Sequence, residues 1–124
     1  MDPLPLLQDL VAIPSVNPMG RFASDAEPYE SGVSDYLEAQ FRRISVPHER
    51  HEIAPKRANL VARVDVPGAT RTIVLDAHQD TVPVDGMTID PFDPVVRDGR
   101  LFGRGACDVK GGMAAMLAAF CRLW

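Results

Sequence analysis

The sequence predicts an α/β fold, a sheet flanked by helices, on three observations. Two amphipathic helical stripes open the chain, and a β-branched apolar run at Thr72-Ile73-Val74-Leu75 reads as a buried strand. A third helical stripe closes the chain over residues 111–124. At 124 residues the chain has the size of one compact unit or part of one, and no linker, internal repeat or low-complexity segment divides it.

The first helix is expected over residues 4–13, with Leu6, Leu7, Leu10 and Val11 on one stripe and Pro14 as its stop. Ser15 to Gly20 is then a turn-rich loop. A second helix is expected from about Pro28 to Ile44, because Val33, Tyr36, Leu37, Phe41 and Ile44 recur at helical steps while Glu38, Gln40, Arg42 and Arg43 face out. "VPHERHEI" reads as a solvated strand or loop, and its His48 and His51 as exposed side chains. "NLVARVDVPGATRTIVLDAH" predicts two strands joined or brought together by a Pro-Gly turn, and "VVRDGRLFGRG" a smaller hairpin about Asp98-Gly99. On the final helix Met113, Met116, Leu117, Phe120 and Trp124 share one face, an ordinary core stripe. That helix ends uncapped at Trp124, which predicts an exposed aromatic surface.

Composition excludes several classes. Apolar content of 46% and charged content of 24% are those of a soluble globular protein, and no segment has the length of a membrane span. The opening "MDPLPLLQDL" lacks the basic start and apolar run of a signal peptide, so a cytoplasmic protein is expected. Thirteen basic against seventeen acidic residues leave a formal net charge of −4, with no cluster of Lys, Arg and aromatic residues to meet nucleic acid. Two distant cysteines, Cys107 and Cys121, make neither a disulfide scaffold nor a cysteine-type structural zinc site. Cys107 lacks a placed base to activate it.

Two short stretches carry chemistry. In "LDAHQDTVPVDG" His78 and Asp80 fall at the carboxyl end of the apolar run, where open α/β sheets place ligand sites. On an extended segment such i, i+2 side chains share a side, so the pair reads either as a metal ligand with its orienting carboxylate or as a surface hydrogen-bonded pair. In "GRLFGRGACDVKGGMAAM" the glycines fit neither nucleotide loop. The third fingerprint position falls on Asp108, and Lys110 is followed by Gly111 where a phosphate loop needs Ser or Thr. What remains is Asp108, a carboxylate in a glycine-rich turn before a helix. Taken with His78, it suits a two-metal hydrolase site.

"DAHQDTVPVDG", the Asp90-Pro91-Phe92 that follows and "DGRLFGRGACDVKGG" closely resemble the zinc-dependent amidohydrolase and exopeptidase family of acetylornithine deacetylase, succinyl-diaminopimelate desuccinylase, aminoacylase and carboxypeptidase G. "LLQDLVAIPSVNP" is similar to that family's first helix and loop. The resemblance implies the amino-terminal part of a zinc-exopeptidase-like catalytic domain with a mixed sheet. It implies that His78 binds one zinc, that Asp80 orients His78 and so serves catalysis, and that Asp108 bridges two metal ions. A cis peptide at Asp108-Val109 is implied as well. Ala77 departs from the glycine frequent in the family before the histidine.

The implied cofactors are two Zn2+, or Co2+, in the complete enzyme, and weak or no metal binding by these residues alone. The family's paired glutamates, one the general base, a further acidic ligand, a distal histidine and an inserted dimerisation domain have no counterpart among the 124 residues. Glu49, Glu52, His48 and His51 precede the strand pair and are not expected to substitute. Residues 1–124 are therefore expected to be an inactive portion of a metal-dependent hydrolase of N-acyl amino acids, near the acetylornithine and succinyl-diaminopimelate branch. The resemblance leaves a homodimer open to the complete enzyme, and residues 1–124 do not fix its oligomeric state. The alternative is a non-catalytic binding module, or a split half completed by a separate chain.

Overall fold

The computed structural model describes residues 1–20 and 29–124. Helix α1 spans Pro3–Ala12. It starts where Asp2 Oδ1 accepts the Leu4 N–H at 3.0 Å and Pro3 supplies a preset φ. It stops at Ile13, which is extended (φ −92°, ψ 112°) as a residue before proline must be.

Helix α2 spans Ser31–Arg43, so its core face lies where the periodicity puts it, while the expected start at Pro28 falls outside the described residues. Its end is a closed motif. Ser45 takes a left-handed φ of 57°, its N–H reaches Arg42 O at 3.0 Å, and the Val46 N–H reaches Phe41 O at 3.1 Å. Arg42 and Arg43 add positive charge at the negative end of the helix dipole.

Strands β1 (His48–Ala54) and β2 (Arg57–Ala62) pair antiparallel, His48 opposite Ala62. Ala58 is buried and Leu60 packs against the core, the period-two pattern of a strand with one covered face. Strands β3 (Val95–Arg97) and β4 (Arg100–Phe102) form the predicted small hairpin. Positive φ at both Asp98 (52°) and Gly99 (72°) is the backbone that a two-residue hairpin loop requires. Helix α3, Gly111–Leu123, lies on α1 and α2. Leu6, Leu10, Val33, Leu37, Met113, Ala114, Leu117 and Ala118 form one buried cluster between them. No helix among the described residues is long and apolar enough to cross a membrane.

The class is α/β as predicted, but the strands differ from expectation in two places. Thr72–Leu75 is not paired into a sheet, and Ile73 is 86% exposed. A β-branched apolar run specifies a strand only when neighbours offer it hydrogen bonds, and among the described residues none runs alongside it. The Pro-Gly turn forms, with Ala69 N–H to Val66 O at 3.1 Å, yet it does not join two paired strands. β2 instead pairs backwards with the charged β1 across Pro55-Lys56. The parallel component is a single bridge between Val16 and Thr81.

One buried charge ties these pieces together. Lys110 is 1% exposed, and its ammonium donates to two carbonyls at the end of α1, Leu10 O at 2.8 Å, which also accepts the Ile13 N–H at 3.3 Å, and Ile13 O at 2.7 Å. Burial pulls the ammonium down to about 8 from an ordinary 10.5. Lys110→Met takes the ammonium donor from Ile13 O and leaves Leu10 O only its 3.3 Å bond from the Ile13 N–H, and is expected to cost about 1–3 kcal/mol in urea unfolding at neutral pH. Between pH 8 and 10.5 the unfolded chain holds the more protons at this residue, so raising the pH through that window should stabilise the wild type relative to Lys110→Met.

Candidate metal centre

The segment Asp76 to Thr81 carries the first half of the site, and its alternation decides which side chains face away from the core. Ala77 packs against the core cluster. Gln79 accepts from Ser34 Oγ at 2.9 Å and donates to Ala58 O at 2.9 Å, pinning the segment to α2 and β2. His78 and Asp80 turn the other way, as i, i+2 residues of an extended chain do. Thr81 fastens the end of the segment: its N–H donates to Ser15 O at 2.8 Å and its carbonyl accepts the Asn17 N–H at 2.8 Å.

The second half comes from the wide turn Ala106–Lys110 that leads into α3, closed by the Lys110 N–H on Gly105 O at 2.9 Å. The sequence folds this way because Gly105 takes φ +80° and lies against Thr81. A Cβ there would stand 2.6 Å from Thr81 Cγ2, so any larger residue would push the two halves apart. Within the turn Asp108 and Val109 leave helical geometry, and the peptide between them is cis, as the resemblance implies.

These two halves bring His78, Asp80 and Asp108 together. His78 Nδ1 lies 3.0 Å from Asp80 O and 3.2 Å from Asp80 Oδ1, and Nε2 lies 3.0 Å from Asp108 Oδ1. The carboxylates differ in setting. The Asp80 side chain is 31% exposed, whereas that of Asp108 is 86% exposed. Partial burial works to lower the His78 pKa, but the bond to Asp108, the backbone of Asp80 and both carboxylate charges outweigh it, so the imidazole sits above its usual value.

His48, His51, Glu49 and Glu52 stay apart from this group on β1. His48 Nδ1 faces Val46 O at 2.8 Å, and His51 pairs with Glu49 at 3.0 Å. Among the described residues no group of three or more His, Cys, Asp and Glu side chains is arranged to hold a metal ion. Cys107 and Cys121 are free thiols, the first exposed and the second pushed up by burial. Two residues at the site carried no chemical reading in the sequence. Asn17 Nδ2 donates to Asp80 Oδ2 at 2.8 Å, and its one sequence signal is the Asn-Pro turn it belongs to. Lys110 anchors the turn bearing Asp108, and a lysine among glycines gives no sign of burial.

An α/β scaffold that presents a histidine between two carboxylates at its surface defines a class, that of proteins gathering nitrogen and oxygen donors at one point. Comparison with known proteins narrows it. Residues 74–123 match the family model described as Peptidase family M20/M25/M40. Similar proteins include the succinyl-diaminopimelate desuccinylases of Methylobacterium radiotolerans (41% identical over 118 residues, 94% of this chain) and Rhodospirillum rubrum (39% over 128 residues, 98% of this chain). That of Wolbachia pipientis is 32% identical over 126 residues, 99% of this chain. The chain spans 28–29% of the length of these relatives. These matches tie the chain by similarity to the M20 peptidases, a family of hydrolytic enzymes.

Both ring nitrogens of His78 face oxygens, and both can donate only when the ring is charged. The folded pKa is raised, so the stabilisation from this residue is complete below its ordinary value near 6.5 and fades as pH rises through the folded value. Urea midpoints of wild type and His78→Ala measured at pH 5.5 and 8.5 should lie further apart at the lower pH.

Proposed function

We propose that this chain supplies the first metal-binding portion of a catalytic domain that hydrolyses the amide bond of an N-acyl amino acid with two Zn2+ or Co2+ ions. The observation that carries the reading is the His78 ring held with one nitrogen on Asp80 and the other on Asp108. The donor chemistry fits. Two donors on one tetrahedral zinc stand about 3.3 Å apart when each bond is about 2.0–2.1 Å, and His78 Nε2 and Asp108 Oδ1 already stand 3.0 Å apart.

In this reading His78 Nε2 and Asp108 hold metal, and Asp80 keeps the Nδ1 proton and sets the ring plane. A bound metal would polarise the amide carbonyl and lower the pKa of water at the site. Asp108, well exposed, can turn to a second ion without losing a buried partner. The resemblance implies that the general base is one of a pair of glutamates which, with the remaining ligands, have no counterpart among these 124 residues. The names of the relatives favour a succinylated diamino acid as the substrate class. The same reading makes residues 1–124 part of one catalytic domain, with a homodimer open to its complete form and with no nucleic-acid or membrane partner. Two free thiols agree with a cytoplasmic setting.

Zinc added to the purified chain, followed by NMR, should shift His78 and Asp108 first with weak, saturable binding, and bound zinc by elemental analysis should fall to background in a His78→Ala, Asp108→Ala double variant. Zinc collecting on His48 or His51 with His78 unmoved would sink the metal reading. Incubated with zinc and N-succinyl-diaminopimelate, the chain alone should show no hydrolysis above that of the double variant.

A further inference from the structure

We infer that Asn17 is a positioning residue of the metal centre: its side-chain amide holds Asp80 so that Asp80, in turn, fixes the His78 ring with Nε2 free for metal. The inference rests on the metal reading of His78 proposed above and adds a residue from a separate part of the chain, 63 positions from Asp80.

Three contacts define the role. Asn17 Oδ1 accepts the Met19 N–H at 3.0 Å, closing a turn over Pro18. That bond decides which way the amide faces, because the oxygen is committed and the NH2 is left to point at Asp80. Asn17 Nδ2 then donates to Asp80 Oδ2 at 2.8 Å, leaving Oδ1 of the same carboxylate at 3.2 Å from His78 Nδ1. The backbone of Asn17 is fixed independently, through its N–H on Thr81 O at 2.8 Å. The amide is thus presented from a locked backbone, with one face on its own turn and the other on the site.

The chemistry that follows concerns a single proton. A neutral imidazole carries one N–H, and two carboxylates compete for it. Asp108 is exposed to water, which weakens its claim, while Asp80 is sheltered and offers both a carboxylate and a backbone oxygen to Nδ1. With Asp80 held by Asn17, the single proton of the neutral ring stays on Nδ1, and the exposed Asp108 carboxylate turns away from the Nε2 lone pair, which is left for a metal. Released from Asn17, the Asp80 carboxylate can turn to solvent and the preference is lost.

Two substitutions separate this role from a merely structural one. Asn17→Ala removes both the turn acceptor and the Asp80 donor. Asn17→Asp keeps an oxygen for the Met19 N–H but sets a carboxylate against Asp80. The readout is the ring nitrogen shifts of His78 in 15N-labelled protein, followed upward in pH until they stop changing and the ring is neutral, with far-UV circular dichroism reporting the fold. The wild type should be protonated mainly at Nδ1, and both variants should lose about fivefold in the ratio of Nδ1–H to Nε2–H, the worth of one net hydrogen bond. A wild-type ratio kept in Asn17→Asp but lost in Asn17→Ala would reduce Asn17 to a turn residue and overturn the inference, as would a wild type protonated at Nε2. Should both variants unfold, the wild-type Asn17 amide decides. One Nδ2 proton must be protected from exchange, and two freely exchanging protons would overturn the role. No metal enters this measurement, so failure of zinc to bind would be scored against the metal reading alone.

Discussion

The ammonium of Lys110, sealed beneath α1 and bonded to Leu10 O and Ile13 O, is the contact on which the rest of the structure depends. A charge so deep is unfavourable unless its protons find oxygens, and the carbonyls at a helix end are a concentrated source of them. The sequence meets this need by stopping α1 before Pro14. The lysine that closes α1 is also the last residue of the turn that carries Asp108. Helix end and site turn are therefore one structure. Gly103 and Gly105 allow it, for a Cβ on either would collide with Val11 or Thr81.

From that anchor the site is assembled by a second strap. Beyond the lysine's acceptors, residues Ser15 to Asn17 run beside Thr81 and hold the end of the His78 segment. The same short stretch of chain thus governs Asp108 through Lys110 and Asp80 through Asn17. His78 is set between two carboxylates that are held by different means. Asp80 is sheltered and bonded on both oxygens, a fixed partner. Asp108 is exposed and bonded to His78, a partner able to change its company.

The parts of this arrangement legible in the sequence are those that depend on local chemistry. α1, α2 and α3 follow from apolar periodicity and proline stops, and the β3–β4 hairpin from Asp98-Gly99, because each is decided within a few residues of chain. The shared orientation of His78 and Asp80 follows from strand alternation alone. What the sequence hides is pairing at a distance. Thr72–Leu75 has the composition of a buried strand but finds no strand beside it among the described residues, and β2 takes its partner from the charged segment before it instead. Asn17 and Lys110 are hidden for the same reason: a polar side chain does not announce an acceptor 63 or 100 residues away.

The proposal to be tested is that His78 and Asp108 begin a metal site, with the His78 ring held by Asp80 before any ion arrives. Crystals of the chain grown with zinc and measured on both sides of the zinc absorption edge test it most directly. The account predicts an anomalous peak bonded to His78 Nε2 and Asp108, with His78 Nδ1 still on Asp80 and Asp80 still on Asn17. A zinc peak elsewhere, with His78 and Asp108 still bonded to each other, would contradict it.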